Sequence, residues 1–403
     1  MTYAETLTWM FAQLPMYQQK GKTAFNSKLD GILTLSNHLN NPHKQFKSIH
    51  VAGTNGKGSS SHMLASILQE AGYRVGLYTS PHLKDFRERI RINGKPVSET
   101  HVVDFIATHK NFIQAHSFSF FEMTVGMAFD YFAQEKVDIA VIEVGLGGRL
   151  DSTNIIIPEI SLITNIGYDH MDLLGDTLEK IAVEKAGVIK QHVPVVVSEY
   201  QPEIAGVFRE KANEKIAELT FASQKKLPYY ATSLLGDYQK RNIKGVLVTL
   251  DKLNNFKVDE THIKKGLQNV AMNTGLQGRW QLLGENPKVI CDTAHNKEGL
   301  SLVLAQLLKE NYKTLHFVLG FVKEKDLDAI LPLFPKNATY YFCKPNISRG
   351  LNAEILLEKA KKYNLNGRCY ATVMAAYKAV NEQASKADLI FVGGSTFTVA
   401  EVL

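Results

Sequence analysis

The 403-residue chain carries 46 Lys and Arg against 40 Asp and Glu, a formal net charge of +6, and 45% of its residues are hydrophobic. This composition is typical of a globular protein and excludes a disordered or collagen-like chain. The length exceeds the size at which a single core keeps growing, so two domains are expected. The small basic surplus lacks basic runs interleaved with aromatics, which favours anionic small ligands over nucleic acid or membranes.

The cysteines and the hydropathy pattern indicate the compartment. The three cysteines are odd in number and lack metal-site spacing, which is typical of a reducing environment: Cys291, Cys343 and Cys369. The first residues do not form a signal peptide, and no apolar stretch is long enough to cross a bilayer. We therefore expect a cytoplasmic protein, and a monomer.

Residues 1–45 have helical periodicity, and the following stretch, 46–72, predicts a strand, a glycine-rich loop and a helix. Three glycines interrupt the apolar run: Gly53, Gly56 and Gly58. Such a loop lets helix amides approach an anion, and Lys57 can reach terminal phosphates. The alternative is an ordinary turn with an exposed lysine. The loop is a variant of G-x-x-x-x-G-K-[ST], since Val51 occupies the first glycine position and an extra glycine separates Lys57 from Ser59.

Three later strands end in residues that can bind a metal ion or phosphate. The strand 74–79 runs into Ser80, 137–144 contains Glu143 near its end, and 160–166 leads to His170. Carboxyl ends of parallel strands gather at one sheet edge, and magnesium on a nucleotide takes few protein carboxylates. For Ser80 the residues alone favour a Ser-Pro turn. Glu143 has a salt bridge to Arg149 as its alternative, and a lone histidine is more often structural.

The remaining pattern predicts an α/β fold in two parts. The Asn93-Gly94 dipeptide predicts a hairpin over 87–97. A helix predicted over 177–188 places Lys185 where it is partly buried, so the amine must be paired, neutralised or modified. Further helices are expected near 99–114, 121–134, 234–253 and 260–271, with a strand at 193–197. A glycine-containing linker at 273–279 precedes a smaller α/β unit with strands at 288–291, 315–319, 339–342 and 389–392.

These motifs identify a family resemblance. The chain resembles the bacterial dihydrofolate synthase/folylpolyglutamate synthase family, within the Mur ligase superfamily, over essentially its whole length. The motifs that carry the resemblance are GTNGKGS at 53–59, TSPHL at 79–83, FFE at 120–122, EVGLGGRLDSTN at 143–154, DH at 169–170, EKAG at 184–187, LGDYQKRN at 235–242, GRW at 278–280 and DTAHN at 292–296.

The resemblance implies both a fold and an activity. The fold is a nucleoside-triphosphatase-like domain with a mainly parallel sheet, the Mur ligase central domain, over 1–273, and a smaller Rossmann-like domain over 274–403. The activity is ATP-dependent coupling of L-glutamate to dihydropteroate or a folate through an acyl phosphate. Closure of the domains about the linker is expected to exclude water from that intermediate.

The resemblance also implies the site residues. ATP contacts are implied for Gly56, Lys57, Gly58, Ser59, Asn242, Arg279, Asp292 and His295. Ligands for magnesium, with two ions expected, are implied at Ser80, Glu143, His170 and Lys185, which replaces the Ser-Pro reading of Ser80. Lys185 is implied to be carbamylated, as N6-carboxylysine, and to be catalytic with Lys57 and His170. Pterin-side contacts are implied for Lys28, Leu29, Asp30, Phe121, Leu150, Asp151 and Ser152. Within DTAHNKEG, Thr293 and Lys297 depart from the family pattern.

Two rival functions remain at this point. A cell-wall Mur ligase attaches amino acids to UDP-linked muramyl precursors by the same chemistry, but GTNGKGS, SPHL and GLGGRLDSTN argue against it. A nucleotide-dependent switch is the rival from another class. It would have no need for a second domain that brings ATP-contacting residues.

Overall fold

A computed structural model describes residues 1–14 and 28–403. The chain forms two compact units, one made of Met1–Ser233 and Lys240–Gly275, the other of Leu234–Gln239 and Leu276–Leu403. The chain thus passes into the second unit within the predicted linker, between Gly275 and Leu276, and the short segment Leu234–Gln239 also belongs to that unit. None of the described helices combines the length and apolarity needed to span a membrane.

The first unit is built on a sheet that contains eight strands among the described residues, in the order β4-β3-β2-β5-β1-β6-β7-β8. The strands are β1 Lys47–Ala52, β2 Val75–Tyr78, β3 Ile90–Ile92, β4 Lys95–Pro96, β5 Ile139–Glu143, β6 Ile160–Ile163, β7 Val195–Val197 and β8 Leu219–Phe221. All neighbours from β2 to β8 in this order are parallel, and only β3 and β4 are antiparallel. The sheet is therefore mainly parallel, as predicted.

The strand register places the functional edge of this sheet. Val51 in β1 lies opposite Glu143 in β5 on one side and Leu162 in β6 on the other. These three central strands consequently end at the same level, so that the loops following them share one edge. The central strands are almost entirely buried, which is why they read as continuous apolar runs in the sequence.

Helices cover both faces of this sheet. They are α1 Tyr3–Gln13, α2 Asp30–His38, α3 Lys57–Glu70, α4 Glu99–His116, α5 Phe120–Gln134, α6 Met171–Leu174, α7 Leu178–Ala186, α8 Ala205–Glu214, α9 Gln239–Asp251, α10 Glu260–Gln268 and α11 Val270–Thr274. One core cluster contains Phe129 and Phe132 of α5 with Ile142, and another contains Ile181 of α7 and Phe208 of α8 with Ile163. Burial of these apolar side chains stabilises the packing of the helices on each face.

The second unit contains a sheet of six strands among the described residues, in the order β13-β12-β11-β14-β10-β9. The strands are β9 Gln281–Glu285, β10 Lys288–Cys291, β11 Leu315–Leu319, β12 Thr339–Cys343, β13 Gly367–Tyr370 and β14 Leu389–Gly393. Only β9, at one edge, pairs antiparallel. The helices are α12 Lys297–Leu307, α13 Leu327–Ile330, α14 Ala353–Lys361, α15 Val373–Gln383 and α16 Thr396–Val402.

Alternate side chains of each strand pack on opposite faces of the second sheet. Phe317 of β11 joins one core cluster with Leu300 and Leu356, whereas its neighbour Val318 joins the other with Val380. This alternation is the period-two geometry of a strand. The unit is therefore a mainly parallel sheet with side chains packed on both faces, and it confirms the predicted second, smaller α/β unit.

Several predicted elements differ from the structure. The predicted helix over 234–253 begins only at Gln239, because the preceding residues belong to the second unit. Strands β8, β9 and β13 and the last helix, α16, were not predicted. The three strands are short and lie at sheet edges, and β9 and β13 keep most of their side chains partly exposed, so their sequences lack a strong apolar pattern. The part of the helical prediction that covers 15–27 lies outside the described residues.

Candidate active site

The predicted phosphate-binding loop, residues 53–56 and called the phosphate loop below, joins β1 to α3 and is held in place by residues that follow β6. Gly53 has a φ of +140°, and a Cβ there would lie 1.8 Å from the Thr164 hydroxyl oxygen, so that only glycine fits. Thr164 Oγ1 donates to the carbonyl of Asn55 (2.6 Å), and the Thr54 amide donates to the carbonyl of Asn165 (2.8 Å). Gly56 caps α3 with a φ of +85°. The first amides of α3 therefore point out of a preformed loop.

The two candidate catalytic lysines meet on this loop. Lys57 Nζ donates to the carbonyls of Gly53 (3.0 Å) and Thr54 (3.2 Å), and Lys185 Nζ from α7 donates to the same Gly53 carbonyl (3.0 Å). Lys185 is buried, and burial, followed by the charge of Lys57, lowers the pKa of its amine to about 7. Lys185 is thus partly neutral near neutral pH, the form of a lysine that can act as a nucleophile.

Two predicted metal ligands are in direct contact at the ends of β5 and β2. Glu143 is buried, and its Oε2 accepts a hydrogen bond from the Ser80 amide (3.1 Å). Arg149, the partner that the structural alternative gave Glu143, instead pairs with Glu184 at 2.8 Å. The structural alternative, a salt bridge from Glu143 to Arg149, is therefore not supported, because Arg149 pairs with Glu184 instead.

A buried cation near Glu143 was not predicted from the sequence. Arg89 is buried close enough for its charge and that of Glu143 to interact, and its Nε donates to His82 Nδ1 (2.8 Å). Because arginine can only donate, the ring proton of His82 lies on Nε2. Burial lowers the pKa of His82 to about 3, so the ring is neutral. The only sequence signal for this pair is the juxtaposition of TSPHL with the basic hairpin.

His170 lies on the loop after β6, beside the phosphate loop. The Thr54 hydroxyl links the two loops, since it accepts from the Gly167 amide (3.0 Å) and donates to the Gly167 carbonyl (3.2 Å). His170 has a φ of +52° and is half-buried, with its Nε2 at 3.9 Å from Asp169 Oδ2. Within residues 1–14 and 28–403, no group of three or more His, Cys, Asp or Glu side chains could hold a metal ion.

Some predicted substrate residues converge on Gly145, directly after the strand that ends in Glu143. A Cβ at Gly145 would lie 2.4 Å from Phe121 Cζ and 3.2 Å from Asp151 Oδ2. Leu29 and Phe121 both pack against the same core cluster. Leu150 and Ser152 flank the buried Asp151 and are partly exposed, whereas Lys28 and Asp30 are exposed at the start of α2.

Asn242, from α9, also reaches the phosphate loop. A Cβ at Gly56 would lie 2.3 Å from Asn242 Oδ1, so the amide lies directly against the cap of α3. Asn242 is buried, and α9 belongs to the first unit from Lys240 onward. Gly56, Lys57 and Asn242 are therefore brought together at the start of α3, and their role towards ATP stays a prediction.

The three candidate ATP residues of the second unit lie around the end of β10. Asp292 is buried and accepts from the Tyr238 hydroxyl (2.6 Å), the Trp280 amide (2.7 Å) and the Ala294 amide (2.8 Å). Burial raises its pKa, and these hydrogen bonds oppose the rise. The sequence reasoning missed Tyr238, although it lies within the LGDYQKRN motif.

Arg279 and His295 are joined through Thr293, one of the two positions that depart from the family pattern. Arg279 Nη1 donates to the Thr293 hydroxyl and to the Gly278 carbonyl (3.2 Å). His295 Nδ1 lies 3.0 Å from the Thr293 carbonyl oxygen. The unusual threonine therefore serves as a hydrogen-bond acceptor for Arg279.

Comparisons with known proteins identify the domains and the relatives of this chain. Residues 51–282 match the Mur ligase middle domain, and residues 278–396 match the Mur ligase glutamate ligase domain. A dihydrofolate synthase/folylpolyglutamate synthase from Bacillus subtilis is 35% identical over 80% of this chain and 80% of that protein. A Haloferax volcanii protein named "Probable bifunctional folylpolyglutamate synthase/dihydropteroate synthase" is 33% identical over the whole of this chain, which spans half of that protein's length.

A solved structure extends the comparison to the whole fold. The crystal structure of a bifunctional folylpolyglutamate synthase/dihydrofolate synthase with Mn, AMPPNP and L-glutamate bound is 30% identical. Its TM-score is 0.86, with 100% of this chain and 97% of that chain covered. The chain belongs to the dihydrofolate synthase/folylpolyglutamate synthase family of Mur ligases.

Proposed function

We propose that this chain is an ATP-dependent ligase that joins L-glutamate to the carboxylate of dihydropteroate or of a folate. The observation that carries the proposal is the meeting of Lys57 and Lys185 on the phosphate loop, at the sheet edge where β5 ends in Glu143. Family membership supports the substrate class, because the relatives are named for these two reactions. ATP and glutamate are proposed as co-substrates on the same grounds.

The nucleotide is proposed to bind along the phosphate loop. Backbone amides at Gly56–Ser59 would donate to its phosphates, with Lys57 adding a positive charge and Asn242 lying against the loop. From the second unit, Arg279, Asp292 and His295 are proposed as further ATP contacts. Arg279 and His295 both contact Thr293, and Asp292, the residue before it, accepts from the Tyr238 hydroxyl, which supports a shared role.

The metal ion is proposed to be magnesium, held by Ser80, Glu143 and His170. Their oxygen and imidazole donors suit Mg²⁺ or Mn²⁺ that is carried on a nucleotide, since phosphate oxygens and water fill the other positions. When bound, the ion would neutralise developing charge on the phosphates. We further propose carbamylation of Lys185 and a second ion, for which the buried amine with a lowered pKa is the supporting observation.

The reaction follows from these groups. The substrate carboxylate attacks the γ-phosphorus, ADP leaves, and Lys57 stabilises the transferred charge. The acyl phosphate that forms has phosphate as its leaving group, so the glutamate amine can displace it to give the amide and inorganic phosphate. Leu29, Phe121 and the loop around Leu150–Ser152 are proposed to bind the pterin-carrying substrate, because Phe121 and Asp151 meet at Gly145. We also propose a monomer. A reducing compartment is proposed as well, and the three free cysteines support it.

An activity assay tests the proposal. ADP release is measured with dihydropteroate plus L-glutamate, with tetrahydrofolate plus L-glutamate, and with a UDP-linked muramyl substrate. Activity in either of the first two is expected, and it should disappear in Lys57→Ala but not in Lys309→Ala, which removes an exposed lysine. Absence of ADP release with both dihydropteroate and tetrahydrofolate would reject the substrate class. Turnover of the muramyl substrate alone would favour the cell-wall rival.

A further inference from the structure

A histidine is fully buried in the middle of β1, away from the phosphate loop. His50 lies opposite Ile142 of β5 and Ser161 of β6 and has no exposed surface. Burial, with a smaller effect from the charge of Lys190, lowers the pKa of His50 to about 3. The imidazole is therefore neutral and carries one ring proton. The question is which nitrogen holds it.

Hydrogen-bond geometry assigns the proton. His50 Nε2 lies 2.9 Å from Thr153 Oγ1, and Thr153 Oγ1 lies 2.6 Å from Asp151 Oδ1. A separation of 2.6 Å is typical of a hydroxyl that donates to a carboxylate, so the threonine proton points at Asp151. Thr153 Oγ1 can then only accept from His50, which requires the ring proton on Nε2. His50 Nδ1 has no hydrogen-bond partner in the described structure, as a bare acceptor would.

Asp151 is the centre of the loop at which this relay ends. Its Oδ1 accepts from the amide (2.9 Å) and the hydroxyl of Thr153, and its Oδ2 accepts from the amide of Leu146 (2.9 Å). The amide of Gly145 donates to the same carboxyl group. A carboxylate has about four acceptor sites, so this one is fully used within the protein. Asp151 therefore acts by shaping the loop between Gly145 and Thr153.

We propose that His50 and Thr153 form a relay that holds the Asp151 side chain in place as a hydrogen-bond acceptor. The relay thereby sets the shape of the Gly145–Ser152 loop, on which binding of the pterin-carrying substrate depends. His50 and Thr153 are positioning residues. The proposal rests on the proposed function in one respect, the assignment of this loop to the substrate.

The relay predicts an order of effects that independent contacts would not give. Thr153→Val removes the hydroxyl from Asp151 and leaves the His50 N–H without an acceptor, so KM for the pterin substrate should rise about tenfold or more. His50→Leu leaves the threonine hydroxyl free to donate to Asp151, and KM should rise only about threefold. The double variant should be no worse than Thr153→Val, because removing His50 removes the orphaned donor. Independent roles would instead multiply the two effects.

Rescue variants and a matched control separate positioning from general stability. Thr153→Ser keeps the hydroxyl, and His50→Gln offers an amide donor near the Nε2 position, so both should keep KM close to that of the wild type. KM for ATP should not change in any of these variants. Ser161→Ala is the control, since it removes a buried hydrogen bond to the Val188 carbonyl (3.0 Å) from the strand beside His50. It should leave the KM for the pterin substrate unchanged.

The decisive experiment combines these kinetics with ¹⁵N NMR of the histidine rings in the full chain, in which His50→Leu identifies the resonance. The relay predicts a proton on Nε2 and a bare Nδ1 in the wild type, together with the ordered KM changes. A proton on Nδ1, multiplicative effects, or an unchanged KM in Thr153→Val would overturn it. If the wild type lacks ligase activity, the proposed function fails. The relay is then tested without kinetics, by the position of the His50 ring proton and by the double-variant cycle measured in thermal unfolding.

Discussion

Replacing Lys185 with alanine is expected to remove ligase activity, and short-chain carboxylic acids should restore part of it. The buried amine of Lys185 shares the Gly53 carbonyl with Lys57, so two ammonium groups would have to lie at one acceptor. Deprotonation of Lys185 relieves this repulsion, and addition of carbon dioxide to the neutral amine converts it to an anion that suits a neighbouring cation. An added carboxylate would occupy the space that the carbamate leaves.

The lowered pKa determines how much of the Lys185 amine is neutral and therefore able to react with carbon dioxide. With a pKa of about 7 instead of 10.5, about 90% of the Lys185 amine is neutral at pH 8, compared with about 0.3% for an ordinary lysine. The reactive form is therefore enriched about 300-fold at that pH. A lysine on the surface would carbamylate far less under the same conditions.

The assay is ¹³C NMR of the protein in labelled bicarbonate, together with ADP release from each variant with and without acetate or propionate. One carbamate signal of the wild type is expected to disappear in Lys185→Ala and to stay in Lys190→Ala. Lys190 is the matched control because its pKa is also lowered, to about 8, so that a carbamate on its own amine would give a separate signal; its Nζ donates to the Asn154 carbonyl (2.7 Å). Full activity of untreated Lys185→Ala, or a carbamate spectrum that this substitution leaves unchanged, would refute the reasoning.

Three further predictions concern single positions. Gly56→Ala should weaken ADP binding about tenfold or more in calorimetry, since its Cβ would lie 2.3 Å from Asn242 Oδ1. The control Gly72→Ala has a similar φ of +87° and open space around it, so it should bind ADP normally. Equal losses of ADP affinity in both variants would contradict this account. Asp292→Asn should lower the free energy of unfolding in urea by about 1–3 kcal/mol, because the new side-chain NH₂ group would face a group that donates to Asp292 in the wild type. This loss should exceed that of Tyr238→Phe, and the reverse order would be inconsistent with the hydrogen bonds at Asp292. His50 has a pKa of about 3 in the folded state and 6.5 in the unfolded state, so the unfolded state binds more protons between these pH values. The contribution of His50 to the free energy of unfolding is therefore complete above pH 6.5 and is lost towards pH 3, at up to about 1.4 kcal/mol per pH unit. His50→Leu should flatten this dependence of the free energy of unfolding on pH.

Local patterns were sufficient for the central sheet and for most of the phosphate loop. Buried parallel strands read as apolar runs, and glycines with positive φ at Gly53 and Gly56 mark the loop in the sequence. The Asn93-Gly94 hairpin was likewise predicted correctly, because that dipeptide favours the left-handed backbone of a tight turn. These features depend on residues that are close together in the chain.

Contacts between distant residues account for what local patterns missed. Leu234–Gln239 joins the second unit through bonds such as that from the Asp237 amide to Gln306 Oε1 (2.6 Å), which helical periodicity does not reveal. The relay from His50 to Asp151 likewise depends on a contact between residues that are 103 positions apart, His50 and Thr153, whereas the Arg89–His82 pair spans only seven residues but lies in a stretch without a regular pattern. The roles of the individual site residues stay predictions, because they depend on ligands as well as on the fold.

Transfer of ¹⁸O from the substrate carboxylate to inorganic phosphate tests the acyl phosphate mechanism most directly. With dihydropteroate or tetrahydrofolate labelled in its carboxylate, one labelled oxygen per amide formed is expected in the released phosphate, because the amide nitrogen replaces the oxygen that phosphorylation has activated. Formation of the glutamyl product with unlabelled phosphate would contradict the account.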